Sequence, residues 1–207
     1  MRKRVIVFNS PPRTGKDTVR VEVAHAISES TRDYVYLPNF KDKLIEIALC
    51  ISGVNEKEWK DRYDHSFDDD FGNRHYSKNV PWDKLAGKSQ RDYLIHISEN
   101  VVKPLHGKDY FGQQMANKIS SYSNGCYVLI ADGGFDEEMH PVNSLEDVDL
   151  VIYQWAREGE QWTFEAQKDS RNYLKEFPNN TVDMGVVPEG GLPELLTNIL
   201  ADIRKNG

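Results

Sequence analysis

The stretch RVIVFNSPPRTGKDT, residues 4–18, constrains this chain more than any other. RVIVF is a short, continuous apolar run rich in β-branched residues, the pattern of a strand buried on both faces. Asn9-Ser10-Pro11-Pro12 breaks that run. After Gly15, residues Val19, Val23, Ala26 and Ile27 recur at helical spacing, which predicts a helix from about Lys16 to Glu29. A strand, a tight turn and a helix opening on Gly-Lys is the context that makes a Walker A reading credible. Backbone N–H groups there line a concavity at a helix N-terminus, the dipole favours anions, and the lysine reaches the β- and γ-phosphates. Two positions depart from the pattern. Ser10 stands at the first glycine, a position associated with unusual backbone angles, and Asp17 stands where a hydroxyl would meet magnesium. A carboxylate is a hard oxygen ligand suited to Mg²⁺, directly or through water, and Thr18 is the neighbouring alternative. Pro12, Arg13, Thr14, Gly15, Lys16, Asp17 and Thr18 are therefore the expected ATP-binding residues, with Asp17 and Thr18 on the metal side. The bland alternative is an ordinary strand–turn–helix with a lysine at the helix start.

Strand and helix patterns continue to alternate along the chain. YVYL (34–37) reads as a second strand, and Phe40 to Ile51 as a helix with Phe40, Leu44, Ile47, Ala48 and Ile51 on one face. From about Asp61 to Ala86 the chain is polar, dotted with aromatics and poor in periodicity, which predicts an extended loop or lid. SQRDYLIHISENVVKPL (89–105) returns to helical spacing, with Ser89 as its N-cap, and residues 108–122 read as a further helix. CYVLIADGG is a strand ending in a small-residue turn, and DLVIYQW (149–155) is another strand. Leu192, Leu195, Leu196, Ile199 and Ile203 form one stripe of a closing helix with a basic end. Such alternation implies right-handed crossovers and a mainly parallel sheet flanked by helices, a three-layer α/β/α sandwich.

Composition narrows the partners. A net charge of −7 argues against general nucleic-acid binding, which needs a surplus of Lys and Arg. No apolar run approaches the ~20 residues needed to span a bilayer, and the N-terminal run reads as a buried strand rather than an export signal. A cytoplasmic protein without membrane partners is expected. Cys50 and Cys126 fit no zinc-ligand spacing and read as two free, packed thiols. The Asp68-Asp69-Asp70 run reads as a solvated loop, and Tyr63, Phe67, Phe71 and Tyr76 either stack on a base or anchor that segment.

At GKDT the chain resembles the deoxynucleoside monophosphate kinases of bacteriophages, in which Asp and Thr follow the loop lysine. PNFKDKLIEIA (38–48), GKSQRDYLIHISENV (87–101), GKDYFGQQMANKI (107–119), VLIADGGFDEEM (128–139) and the closing EGGLPELLTNIL resemble that family in the expected order. The resemblance implies a P-loop kinase-like fold over 1–207, with an acceptor-binding insertion at about 38–106 and a lid at about 155–175. It implies transfer of the γ-phosphate of ATP to a (deoxy)nucleoside monophosphate with Mg²⁺, in the bacterial host cytoplasm if the chain is of phage origin, with room for a homodimer. Lys16 and the loop amides would hold the ATP phosphates, Arg91 would grip the acceptor's phosphate, and Asp132 would sit near metal or acceptor. Phe40 and Asp42 would belong to the acceptor site. Where the family carries an arginine two residues after that aspartate, this chain has Gly134. The region after DLVIYQW offers Arg157 and Arg171 but lacks the family's histidine–glutamate pattern.

Read independently, phosphoryl transfer needs aligned phosphates, neutralised charge and excluded water rather than a general base. Arg13, Lys16, Arg91, Arg157 and Arg171 are the cations placed for it. Asp132 ends its strand at the edge where ligands of open α/β sheets sit; alternatively it only shapes the turn before Gly133-Gly134. Arg91 alternatively pairs on the surface with Asp92 or Asp61. Two other readings stay open: a catalytically inactive nucleotide-binding protein, and a P-loop kinase for another small acceptor.

Overall fold

The computed structural model describes residues 1–12, 14–71, 74–158 and 173–205. In chain order its elements are β1 (Lys3–Asn9), α1 (Lys16–Ser30), β2 (Val35–Tyr36), α2 (Lys41–Ser52), α3 (Glu56–Asp64), β3 (Ser66–Asp68), β4 (Arg74–Tyr76), β5 (Pro81–Trp82) and β6 (Lys88–Ser89). Then follow α4 (Gln90–Ile97), α5 (Lys103–His106), α6 (Tyr110–Ser120), β7 (Tyr127–Ile130), α7 (Asp136–Asn143), β8 (Val148–Arg157), β9 (Thr181–Val187) and α8 (Leu192–Lys205). The chain divides into two compact units, Met1–Phe40 with Gly112–Gly207, and Lys41–Phe111.

The first unit is built on a five-stranded sheet of order β2-β7-β1-β8-β9. Each of its pairings is parallel, with Val5 opposite Val128 on one side and Leu150 on the other. β1 lies at the centre, and Val5, Val7 and Phe8 are fully buried, which is why the run is apolar without alternation. Ile6 and Phe8 join Leu129, Tyr153 and Trp155 on one face, packed against Val19, Val23 and Ile27 of α1 and Leu195, Ile199 and Ile203 of α8. Val7 points the other way, towards Gly133 and Met139 of α7. Helices thus cover both faces, and the α/β class with a helix-flanked parallel sheet agrees with the alternation in the sequence. The chain leaves β1 through α1 towards the β2 edge, and leaves β7 through α7 towards the β9 edge. Such a reversal beside β1 is where open α/β sheets take ligands, in the crevice outside the carboxyl ends of their strands.

In the second unit α2 packs on α4, and Trp59, Leu85, Leu94 and Ile97 are buried. The segment 61–86, expected as an extended loop, is more ordered than its polarity suggests. The end of α3, the antiparallel pair β3–β4 and β5, whose partner β6 follows just beyond, occupy its described residues. Ser89 caps α4 as expected, accepting from the Asp92 N–H at 3.1 Å. A π-helical turn, Ser98–Val102, then carries the chain into α5. Three packing expectations change: Ala24 rather than Ala26 is buried in α1, Ile51 is 53% exposed, and Cys50 is exposed while Cys126 is buried.

Candidate functional site

The turn after β1 is closed by its own side chains. Thr14 is buried, and its Oγ1 donates to the Pro11 carbonyl at 2.8 Å. With that proton committed, Thr14 Oγ1 accepts the hydrogen bond it shares with the buried Ser10 hydroxyl. The Lys16 ammonium also donates to the Pro11 carbonyl, at 3.2 Å, so it folds back over the turn. Gly15 caps α1 with φ 86°, and its carbonyl accepts the Val19 N–H at 2.9 Å. A Cβ there would meet only the tip of the Leu192 side chain, at 2.9 Å, which can shift, so it is the left-handed conformation that calls for glycine. Position 10 needs none: among the described residues only Ala86 outside the glycines has a positive φ. The unusual backbone angle expected at Ser10 is absent, and its hydroxyl serves as a staple instead. From beneath, the buried Trp155 donates its indole N–H to the Thr14 carbonyl at 3.3 Å. Asp17 and Thr18 stand exposed on the first turn of α1, and Pro12 is half-buried.

Polar groups tie this turn to the neighbouring strand ends. Asn9, fully buried, donates to the Gly133 carbonyl at 3.2 Å and accepts from Gln154 Nε2 and the Leu174 N–H, each at 2.9 Å. Asp132, half-buried just beyond β7, accepts the Phe40 N–H at 3.0 Å. The Phe40 ring is buried beside Gly133, so its backbone rather than its ring meets Asp132. Arg20, one turn after Lys16 on α1, donates to Asn39 Oδ1 at 2.8 Å. Arg157 ends β8 opposite Val187 and is half-buried. The Tyr173 hydroxyl donates to the Trp155 carbonyl at 3.2 Å, and burial holds its pKa above the usual phenol value, so it stays a neutral donor.

Of the residues singled out from sequence, Pro12, Thr14, Gly15, Lys16, Asp17, Thr18, Phe40, Asp132 and Arg157 belong to the first unit. Asp42, exposed in the first turn of α2, and Arg91, exposed in the first turn of α4, belong to the second. Arg13 and Arg171 lie outside the described residues, as does most of the segment 155–175. Sequence reasoning passed over Asn9, Arg20, Asn39 and Gln154. A signal existed for two of them: Asn9 is the polar residue that stops an apolar strand, and Arg20 repeats Lys16 at helical spacing. Among the described residues no group of three or more His, Cys, Asp or Glu is arranged to hold a metal ion. An exposed carboxylate beside a hydroxyl, as at Asp17-Thr18, nevertheless suits Mg²⁺, which takes one or two protein oxygens and otherwise water and substrate phosphates. No protein-family model matches the chain, and no curated protein matches it.

Proposed function

We propose that this chain is a P-loop kinase that transfers the γ-phosphate of ATP to a (deoxy)nucleoside monophosphate. One observation carries the reading: a left-handed Gly15 opens α1 at the carboxyl end of the central parallel strand, with the Lys16 ammonium folded over the turn. The first amides of α1 have no intrahelical partners, and the helix dipole adds positive potential at that end. An anion that displaces the Pro11 carbonyl from Lys16 replaces an ammonium–carbonyl hydrogen bond with one in which both partners are charged. Thr14 and Ser10 hold the turn, and Trp155 and Leu192 back it, so the donors are positioned before ligand arrives. Mg²⁺ on the Asp17-Thr18 side would neutralise charge on the transferred phosphoryl. Arg91 is assigned to the acceptor's phosphate by the family resemblance, and Arg13, Arg157 and Arg171 to the charge that develops during transfer. The reading makes the partners small molecules and the compartment the cytoplasm.

The test is a coupled assay with ATP, Mg²⁺ and a panel of eight ribo- and deoxynucleoside monophosphates, run on the wild type and Lys16→Ala. The wild type is expected to phosphorylate at least one acceptor, and Lys16→Ala to lose about 10²–10³-fold in kcat with its melting temperature kept. Full turnover in Lys16→Ala sinks the mechanism. Stabilisation by ATP without ADP formation on any acceptor would instead identify an inactive nucleotide-binding protein, as the glycine at 134 would favour.

A further inference from the structure

We propose that Arg20 is a second phosphate-contacting cation of this crevice, taking the phosphomonoester of the acceptor. The inference rests on the kinase reading and names a residue of its acceptor side. Lys16 and Arg20 lie four residues apart on α1 and so share one face of the helix. Lys16 faces the turn, and Arg20 faces the segment beyond β2, where Asn39 Oδ1 accepts from its Nη1 at 2.8 Å. The next residue, Phe40, gives its N–H to Asp132 at the end of β7. The guanidinium is therefore held to the segment that follows β2, one residue from the Phe40 amide that meets Asp132 beyond β7.

Its hydrogen bonding is incomplete. The Nε–H is shielded from solvent and has no partner among the described residues, while only Nη1 is engaged by Asn39. A buried donor left without a partner costs free energy, so such groups persist where a ligand or water completes them. The Nε and Nη2 edge of an arginine is the fork that grips a phosphate oxygen pair. Small rotations of the long stem about the Asn39 contact turn that edge to an entering oxyanion.

The experiment compares wild type, Arg20→Ala, Arg20→Lys and Asn39→Ala, measuring kcat and both KM values, melting temperature and rescue by guanidinium ion. Arg20→Ala is expected to raise the monophosphate KM about ten- to hundred-fold, the loss of a charged hydrogen bond, with the ATP KM changed less than about two-fold. Arg20→Lys recovers only part, because an ammonium lacks the fork, and added guanidinium restores part of Arg20→Ala activity. Asn39→Ala keeps the cation and shifts the monophosphate KM less than Arg20→Ala does. An unchanged monophosphate KM, equal rises in both KM values, or an Asn39→Ala as impaired as Arg20→Ala would overturn the assignment and leave the kinase reading standing. If the wild type phosphorylates nothing, the kinase reading fails separately. Equilibrium binding of the same monophosphates to wild type and Arg20→Ala then decides: weaker binding by the variant supports the assignment, and equal or absent binding overturns it.

Discussion

Ser10 and Gly15 look alike as motif positions and differ as physical ones. Gly15 has φ 86° and packs on the Leu192 side chain, whereas Ser10 is buried in ordinary backbone and hydrogen-bonds Thr14. Opposite outcomes are expected on substitution. Gly15→Ala forces a left-handed alanine and should lower stability by about 1–2 kcal/mol while disturbing the amides at the start of α1. Ser10→Gly restores the motif residue yet loosens the unfolded chain and removes the staple, so it should destabilise by about 0.5–1.5 kcal/mol rather than help. Urea unfolding of both variants measures this, and a Ser10→Gly more stable than wild type would refute the staple.

Among the elements, the approach of α6 to α7 is the least forgiving. A Cβ on Gly112 would fall 2.2 Å from the Glu138 carbonyl oxygen, a backbone atom that moves only if α7 moves. Gly112→Ala is thus expected to cost at least the 1–3 kcal/mol of typical overpacking, read as a lowered denaturant midpoint. A midpoint equal to wild type would show that the two helices separate freely. α8, β1 and β8 were legible as elements because each has an apolar stripe or run. α7 was not: it is 8 residues long, contains Pro141 and begins on three acidic residues, so its short apolar signal is diluted. β9 was missed for a similar reason, since Asp183 and Gly185 interrupt its pattern and six of its seven residues are only half-buried or exposed. Between residues 61 and 89, strands of two or three residues each are too short to show a period.

At the scale of the molecule, stability should depend on acid through three ion pairs. The Lys3 ammonium at 2.6 Å holds Asp147 below the usual aspartate range, Lys60 does the same for Glu56, and Arg74 for Asp68. A carboxylate with a depressed folded pKa contributes fully above its unfolded value, near 4, and that contribution is lost as pH falls through the folded value. The pairs of Glu56 and Asp68 are exposed and weak, whereas the Lys3 side chain is only 3% exposed, so Asp147 matters most. The denaturant midpoint should hold between pH 7 and about 5 and fall below about 4. Asp147→Asn should lower it at pH 7, by leaving Lys3 buried without its counter-ion, and should flatten the acid fall. A variant that tracks wild type at both pH values would remove Lys3–Asp147 from the account.

By itself the sequence determined the strand–turn–helix at residues 4–30, the α/β class and the helix-flanked parallel sheet. Buried parallel strands must read as continuous apolar runs and covering helices as stripes, and both are properties of neighbours along the chain. Tertiary structure alone decided the strand order, the polar ties around the turn and the place of Arg20. Asp132 meets the Phe40 N–H across 92 residues, Asn9 meets Leu174 across 165, and Arg20 meets Asn39 across 19. Contacts at such separations depend on how crossovers bring strand ends together, and no local period records that.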